Sequence, residues 1–519
     1  MDSREATFPG YMLYCGIVCA LTSLSIGYVI GSPNVPESAI RGLKGDCGPN
    51  PYTKSGGFPN CLEFSNILWG FAVGSFCLGA MAGGLTGGTI QNIYGRRRTM
   101  FISNIFFILG ALLIALTYHQ AQFIVGRIII GYACGLGGVV APSYLGEVST
   151  IRGRGTMGAG FQLLIVIGIL ISNLIGLGLS RAPRWRIMFA INGLFPLIQL
   201  FLLPSLVESP KWLVSKNRLP EARDALQKLR GQASNIEHEF ADMVRLLLGR
   251  TSDGHTANRA AAVATPDSAA TAGVTQQNDS AFEETKFKAD PEARAPATGG
   301  SPHNYSISRL FSSECNKLAV IGILVHFFQQ ATAINGLIYY STSFLGDVFG
   351  EGNSKYITVG TSCCNLVATI LSVYLMDKLG RRTLLLISSG GVTISSILLV
   401  IGAYRDISGL VVAGVFLFIA FFAVGMGPIP WLLLSELLPT YALSAASSVA
   451  TAVNWGTNFV IGLVFPSLND GLGNGTFIIF AALTAIQFVY IWIFVPETKA
   501  RSIEDIMAER GVAPRSDFM

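Results

Sequence analysis

Charge is scarce in this chain. Asp, Glu, Lys and Arg supply 13% of its 519 residues against 51% hydrophobic residues, whereas a soluble domain carries roughly 25% charge. A mean hydropathy of +0.51 agrees, and the composition is that of a polytopic membrane protein. The net charge of +5 is small and concentrated in a few short loops, which makes it a topology signal rather than a nucleic-acid surface. The five histidines are scattered, and no nucleophile–base constellation, metal-ligand spacing or phosphate loop occurs; the expectation is no enzyme, no metal and no cofactor. Acids are missing from the first apolar run, Tyr11 to Gly31, which also lacks a small-residue cleavage site and reads as a span, not a removed signal peptide. Of nine cysteines, Cys15, Cys19, Cys77, Cys134, Cys363 and Cys364 fall in apolar runs, where a thiol is a packing residue. Cys47, Cys61 and Cys315 fall in loops. Cys47 and Cys61 share one loop, expected outside, where a disulfide and free thiols both stay open.

What the chain has instead is apolar runs of membrane length. Twelve of them start near residues 11, 66, 99, 121, 156, 186, 317, 356, 383, 409, 443 and 475. Arg96, Arg97 and Arg98 follow span 2, Arg152 and Arg154 follow span 4, and Lys378, Arg381 and Arg382 follow span 8. These fall on one side and outweigh Arg181, Arg184 and Arg405 on the other, so both termini are expected in the cytoplasm. The loops repeat as well: Gly95-Arg96-Arg97 recurs as Gly380-Arg381-Arg382, Glu147 as Glu436, and Glu208 as Glu497, 285 to 289 positions apart. Three marks in one order imply two six-helix halves related by a parallel repeat. The expected division is 1–206, a cytoplasmic segment 207–316, 317–495, and a tail 496–519. Within the segment, Pro220 with Ala222, Leu226 and Leu229 at helical spacing predicts short amphipathic helices. Residues from about 251 to 302 are rich in Ala, Thr, Ser, Gly and Pro and read as disordered linker. Asn278 and Asn304 open glycosylation sequons that would stay unmodified on the cytosolic side.

One stretch stands out, Phe327 to Ser341, which carries Gln329, Gln330 and Asn335 inside an apolar run. Amides in hydrocarbon need partners or water, so three in one helix suggest a lined cavity, although amides also join helices.

With these residues in hand, the chain resembles the sugar porter family of the major facilitator superfamily. The resemblance rests on Gly95-Arg96-Arg97, Gly146-Glu147-Val148-Ser149, Glu208-Ser209-Pro210-Lys211-Trp212, Gln329-Gln330, Gly380-Arg381-Arg382, Pro428-Ile429-Pro430-Trp431 and Pro496-Glu497-Thr498-Lys499. It implies an all-α membrane protein of twelve transmembrane helices in two six-helix bundles, moving a hexose by alternating access. Its partners would be the sugar and the bilayer, with no nucleic acid and no obligate protein. The family's sugar contacts fall here on Gln162, Gln329, Gln330, Asn335, Asn365, Trp431, Asn454 and Trp455. Amides donate and accept without charge, and an aromatic face suits the C–H side of a sugar. Tyr339 and Tyr340 resemble the outer gate. Glu147, Asp377, Glu436 and Glu208 resemble a latch with Arg96, Arg97, Arg154, Arg381 and Arg382.

Departures matter too. Proton symporters of the family carry an aspartate after the Gly-Tyr of span 1, paired with an arginine of span 4; here Val29 follows Gly27-Tyr28 while Arg127 is present. Coupling needs a titratable group, so the expectation is uniport, with Arg127 bound to carbonyls or other polar groups. Ala423 stands where animal facilitators carry a glutamate, Thr332-Ala333-Ile334-Asn335-Gly336 carries its glycine after the asparagine rather than before it, and Leu443 stands at the second-half position matching Arg154, which leaves Glu436 without one expected partner. The arginine-side gate is therefore expected to be weaker here. The rivals are a symporter using Glu37 or His326, and a non-transporting sugar sensor, which usually has a longer tail than the two dozen or so residues after Val495.

Overall fold

The computed structural model describes residues 8–43, 57–150, 153–232, 234–248, 310–311, 315–438, 440–499, 501 and 503–509. The expected linker, both sequons and Cys47 lie outside the described residues. Every described element is helical. The first half runs α1 (Gly10–Gly31), α2 (Glu37–Arg41), α3 (Asn66–Tyr94), α4 (Arg96–Ala115), α5 (Gln120–Val148), α6 (Arg154–Leu179), α7 (Trp185–Ile191) and α8 (Leu194–Leu202). Short helices α9 (Pro210–Ser215), α10 (Leu219–Arg230) and α11 (Glu237–Leu248) follow. The second half runs α12 (Asn316–Ala331), α13 (Ile334–Phe349), α14 (Glu351–Leu379), α15 (Arg381–Tyr404), α16 (Ser408–Val424), α17 (Ile429–Leu437), α18 (Thr440–Leu472) and α19 (Thr476–Phe494), closing with α20 (Ile503–Glu509).

Among the described residues, twelve stretches are long and apolar enough to cross a membrane, beginning at Gly10, Asn66, Arg96, Gln120, Thr156, Trp185, Asn316, Asn353, Arg381, Ser408, Ala445 and Thr476. Hydropathy alone located them because a 30 Å hydrocarbon layer demands about 20 apolar residues whatever their neighbours. Association inside lipid depends on close packing rather than on a hydrophobic driving force. Glycine therefore sits where backbones meet: a Cβ on Gly27 would lie 1.9 Å from the Ile165 carbonyl oxygen, and one on Gly131 1.9 Å from that of Phe76. These contacts seat α1 on α6 and α3 on α5.

The expected amphipathic helices form. Pro220 lies in the first turn of α10 and Ala222, Leu226 and Leu229 are buried. Trp212 and Leu213 of α9, Leu226 of α10 and Met243 of α11 share one apolar cluster. Arg230 anchors it beneath α5, donating from Nη1 to the Val148 carbonyl (2.8 Å) and from Nη2 to that of Ser149 (3.3 Å) while pairing with Glu239 (2.7 Å). A cation at a helix C-terminus meets carbonyls that no helical N–H reaches.

The two halves bond to each other at the end of the bundle away from Arg96 and Arg381. Asn34 Nδ2 donates to Ser341 Oγ (2.8 Å) and its Oδ1 accepts from the Thr342 amide (3.1 Å). Asn66 donates to Asp470 (2.6 Å), Asn173 to Ser362 (2.8 Å) and Lys355 to Ser180 (3.0 Å). These bonds between the halves gather at the far end.

The seventh span is broken. Ala333, between α12 and α13, has φ 61° and ψ 23°, a left-handed conformation. The Thr332 hydroxyl bridges the break, donating to the Gln329 carbonyl (2.8 Å) and accepting from the Ile334 amide (3.4 Å). Glycine is displaced to 336 because a Cβ there would lie 2.5 Å from the Phe465 ring, leaving alanine in the strained position. Ala333→Gly should stabilise this form by ~1 kcal/mol, read as a raised thermal midpoint in detergent. An unchanged midpoint would show that the strain is carried elsewhere.

Candidate functional site

The break aims α12 and α13 at α18, and their amides close on one another. Asn335 Nδ2 donates to Gln330 Oε1 (2.6 Å), and Gln330 Nε2 to Asn454 Oδ1 (3.1 Å). Asn454 Nδ2 donates in turn to Gln329 Oε1 (2.7 Å) and to the His326 carbonyl (3.2 Å). Gln329 Nε2 reaches the Met426 and Gly427 carbonyls at 2.7 and 2.9 Å, groups freed where the tenth span breaks between α16 and α17. All four amides are at most 8% exposed. The cluster offers neutral donors and acceptors that can exchange amide partners for hydroxyls at little net cost.

Aromatic residues flank it. Trp455 is buried edge-on to Phe76 at 5.7 Å. Trp431 is 42% exposed, and the His326 ring meets it edge-to-face at 5.0 Å. His326 Nδ1 is 3.0 Å from the Gly322 carbonyl oxygen, which assigns the proton to Nδ1. The Tyr339 hydroxyl donates to Asn458 Oδ1 (3.0 Å) and that of Tyr340 to the Gly462 carbonyl (2.9 Å), pinning α13 to α18. Asn458 was missed in the sequence although it lies one turn beyond Asn454 on the same face. Its Nδ2 is buried and has no partner.

Two expected residues stand outside this cluster. Gln162 is half-buried on α6, and no hydrogen bond among the described residues ties it to the amides. Asn365 accepts a long bond from Thr369 (3.4 Å) and lines a separate cavity with Asn34, Asn173 and Ser362.

Arg127 is fully buried. Nη1 donates to the Val29 carbonyl (3.3 Å), Nη2 to that of Val73 (2.9 Å), and the guanidinium lies 4.7 Å from the centre of the Phe76 ring. Its partners are two carbonyls and a ring, with no carboxylate among them. Carbonyl dipoles and a cation–π contact offset desolvation of the charge without a group that takes up a proton. Glu37, the rival acid, pairs with Arg41 at 2.9 Å near the far mouth.

At the arginine end the repeat is preserved down to the atoms, in a form that differs from the expected latch. Arg96 pairs with Glu147 (2.8 Å) and Arg381 with Glu436 (2.9 Å), each within one half. Glu208 takes its hydrogen bonds from the main chain rather than from an arginine side chain: it accepts from the amides of Arg96 (2.8 Å), Arg97 (3.2 Å) and Ser209 (2.9 Å). Glu497 does the same for Arg381 (2.9 Å), Arg382 (3.2 Å) and Thr498 (3.0 Å). A carboxylate at a helix N-terminus satisfies orphan donors and complements the dipole. Gly95 and Gly380 permit it, since a Cβ on either would lie 2.6 Å from the glutamate oxygen. Burial pushes the Glu208 carboxyl above the usual range, and the N–H bonds from Ser209, Arg97 and Arg96 pull against that. Arg97 and Arg382 donate to the carbonyls of Leu206 (2.9 Å) and Trp492 (2.6 Å) rather than to acids. The side chains of Arg154 and Asp377 lie outside the described residues. Leu443 packs against an apolar cluster, and Glu436 finds a second partner in the Thr498 hydroxyl (2.5 Å).

Asn454 is the knot of the amide cluster. Asn454→Ala would leave Gln329 Oε1 and Gln330 Nε2 without partners and should cost about 2 kcal/mol of stability, seen as a lowered thermal midpoint in detergent without added ligand. No change would mean that the glutamines re-pair.

A family model described as sugar (and other) transporter matches residues 15–253 and 251–509. The chain is 33% identical over 469 residues to solute carrier family 2, facilitated glucose transporter member 2 of Gallus gallus, covering 88% of this chain and 78% of that one. It is 31% identical to facilitated glucose transporter protein 1 of Caenorhabditis elegans over 96% of this chain and 90% of that one. Among solved structures, the major facilitator superfamily proton:xylose symporter XylE bound to 6-bromo-6-deoxy-D-glucose superposes with a TM-score of 0.71 at 24% identity, covering 96% of this chain and 99% of that one. The partially occluded inward open conformation of the xylose transporter XylE from E. coli gives 0.70 at 22% identity, covering 95% of this chain and all of that one. Matched nearly end to end by this model and by relatives above 30% identity, the chain is an integral multi-pass membrane protein that belongs to the sugar transporter family and has the twelve-helix major facilitator fold.

Proposed function

We propose that this chain carries a hexose, glucose first, down its gradient by alternating access and without ion coupling. The relatives above are named facilitated glucose transporters. Sugar binds at Gln329, Gln330, Asn335 and Asn454, stacks on Trp431, and is approached by Gln162, Asn365 and Trp455 as the halves rock. Residues 1–206 and 317–495 act as two bodies around this centre, joined by the segment 207–316. The far-end bonds hold that mouth shut in the present form. Tyr339 and Tyr340 move with it as the gate. The arginine-end pairs and helix caps stiffen each half during rocking.

The observation that carries the uncoupled reading is Arg127 held by the Val29 and Val73 carbonyls and the Phe76 ring. A group that stays charged and meets no acid gives a proton no place in the cycle. The plasma membrane is the proposed location, with both termini cytoplasmic. The Arg96 and Arg381 end then faces the cytosol, and Cys61, which is disulfide-bonded, faces the oxidising side.

In liposomes holding the purified protein, glucose uptake should equilibrate without exceeding the outside concentration and should ignore an imposed pH gradient. Gradient-driven accumulation would overturn uniport and direct attention to Glu37 and His326. Saturable binding without flux would indicate a sensor. Asn335→Ala should raise the KM about tenfold, measured by tracer exchange, and an unchanged KM would remove Asn335 from the site.

A further inference from the structure

Between the amide cluster and the far mouth lies a cavity shared by both halves, with Asn34, Asn173, Ser341, Thr358, Ser362 and Asn365 in its wall. Its polar groups bond across the halves in one chemical pattern, amide to hydroxyl. Asn34 holds Ser341, and Asn173 Nδ2 holds the Ser362 hydroxyl at 2.8 Å. Asn173 is 2% exposed, yet its Oδ1 has no hydrogen-bond partner. A buried amide oxygen left so forfeits roughly 1–3 kcal/mol, a cost that Asn34, with both ends of its amide engaged, does not carry.

We propose that the Asn173 amide is a second sugar-recognising position, used when the halves part at the far end, with the Ser362 hydroxyl as its stand-in while they are closed. The proposal rests on the sugar-transport reading above and extends it to a residue outside the central cluster. Parting the halves frees a donor and an acceptor on one side chain, the set that a vicinal pair of sugar hydroxyls satisfies. Exchanging a serine hydroxyl for a sugar hydroxyl is close to neutral, so bound sugar lowers the cost of opening this mouth. Ile169, Leu337 and Ile419 supply apolar wall for the C–H face. The position is distinct from Gln162: eleven residues of α6 separate the two, about 16 Å at 1.5 Å per residue. Ser362 lies one turn from Asn365 on α14, and both line this cavity.

Two variants of the full chain in liposomes separate recognition from gating, because both break the Asn173 to Ser362 bond and only one removes the amide. Asn173→Leu should raise the equilibrium-exchange KM for glucose about fivefold to tenfold, whereas Ser362→Ala should leave it unchanged or lower it. A series of monodeoxyglucoses adds an independent readout. The analogue lacking the hydroxyl that meets Asn173 should be penalised in wild type and no longer in Asn173→Leu. Equal KM changes in the two variants, or a penalty for every deoxy analogue that persists in Asn173→Leu, would reduce Asn173 to a gate contact and overturn the proposal. Exchange by wild type with a flat response to Asn173→Leu overturns the subsite alone; no exchange of any hexose by wild type overturns the sugar reading and the subsite together.

Discussion

A polar group placed in hydrocarbon must find its partner within the protein, and the centre of this molecule is arranged around that requirement. Gln329, Gln330, Asn335 and Asn454 satisfy one another across α12, α13 and α18. The carbonyls released where the tenth span breaks are taken by Gln329. Broken helices and clustered amides therefore support each other: the breaks free backbone groups, and the amides bind them. The same neutral donors and acceptors suit a ring of hydroxyls, so what makes the break tolerable also makes it a place to bind.

The rule recurs with different partners elsewhere. Arg127, stripped of an acid, takes carbonyls and a ring. At the far end, amides take hydroxyls of the opposite half. At the arginine end, two glutamates take the free amides of helix starts, and glycines at 95 and 380 give them room. The far-end bonds cross between the halves whereas each cap lies within one half, so the proposed rocking breaks the first and leaves the second in place. Near-equal exchange of partners at the moving surface, with fixed capping elsewhere, suits a protein that must change shape many times without unfolding.

Much of this was legible in the residues. The spans could be read because membrane thickness acts on each stretch separately, and the starts that differ most, near 99 and 356, lie in stretches that begin with charge or polar residues, at Arg96 and Asn353. The repeat was legible because Gly95, Glu147 and Glu208 recur in order. The absence of an acid at Val29 pointed correctly to carbonyl partners for Arg127. Other details had no local trace. Glu208 and its neighbouring arginines suggest ion pairs on charge alone, yet the carboxylate chose backbone amides, because the short connection places it on the axis of α4. The left-handed turn at Ala333 was hidden, since alanine there contradicts its own preference and yields to the packing of Gly336 on Phe465.

By itself, then, the sequence determined where the chain enters and leaves the membrane, which loops correspond, and which spans carry amides, because hydropathy and spacing are properties of short segments. Tertiary structure alone decided which partner each polar group takes. Gln330 bonds a residue 124 positions away and Asn173 one 189 away. Those choices depend on which helices lie side by side and at what register, and a hydrogen bond is lost over an ångström of displacement that no local pattern encodes.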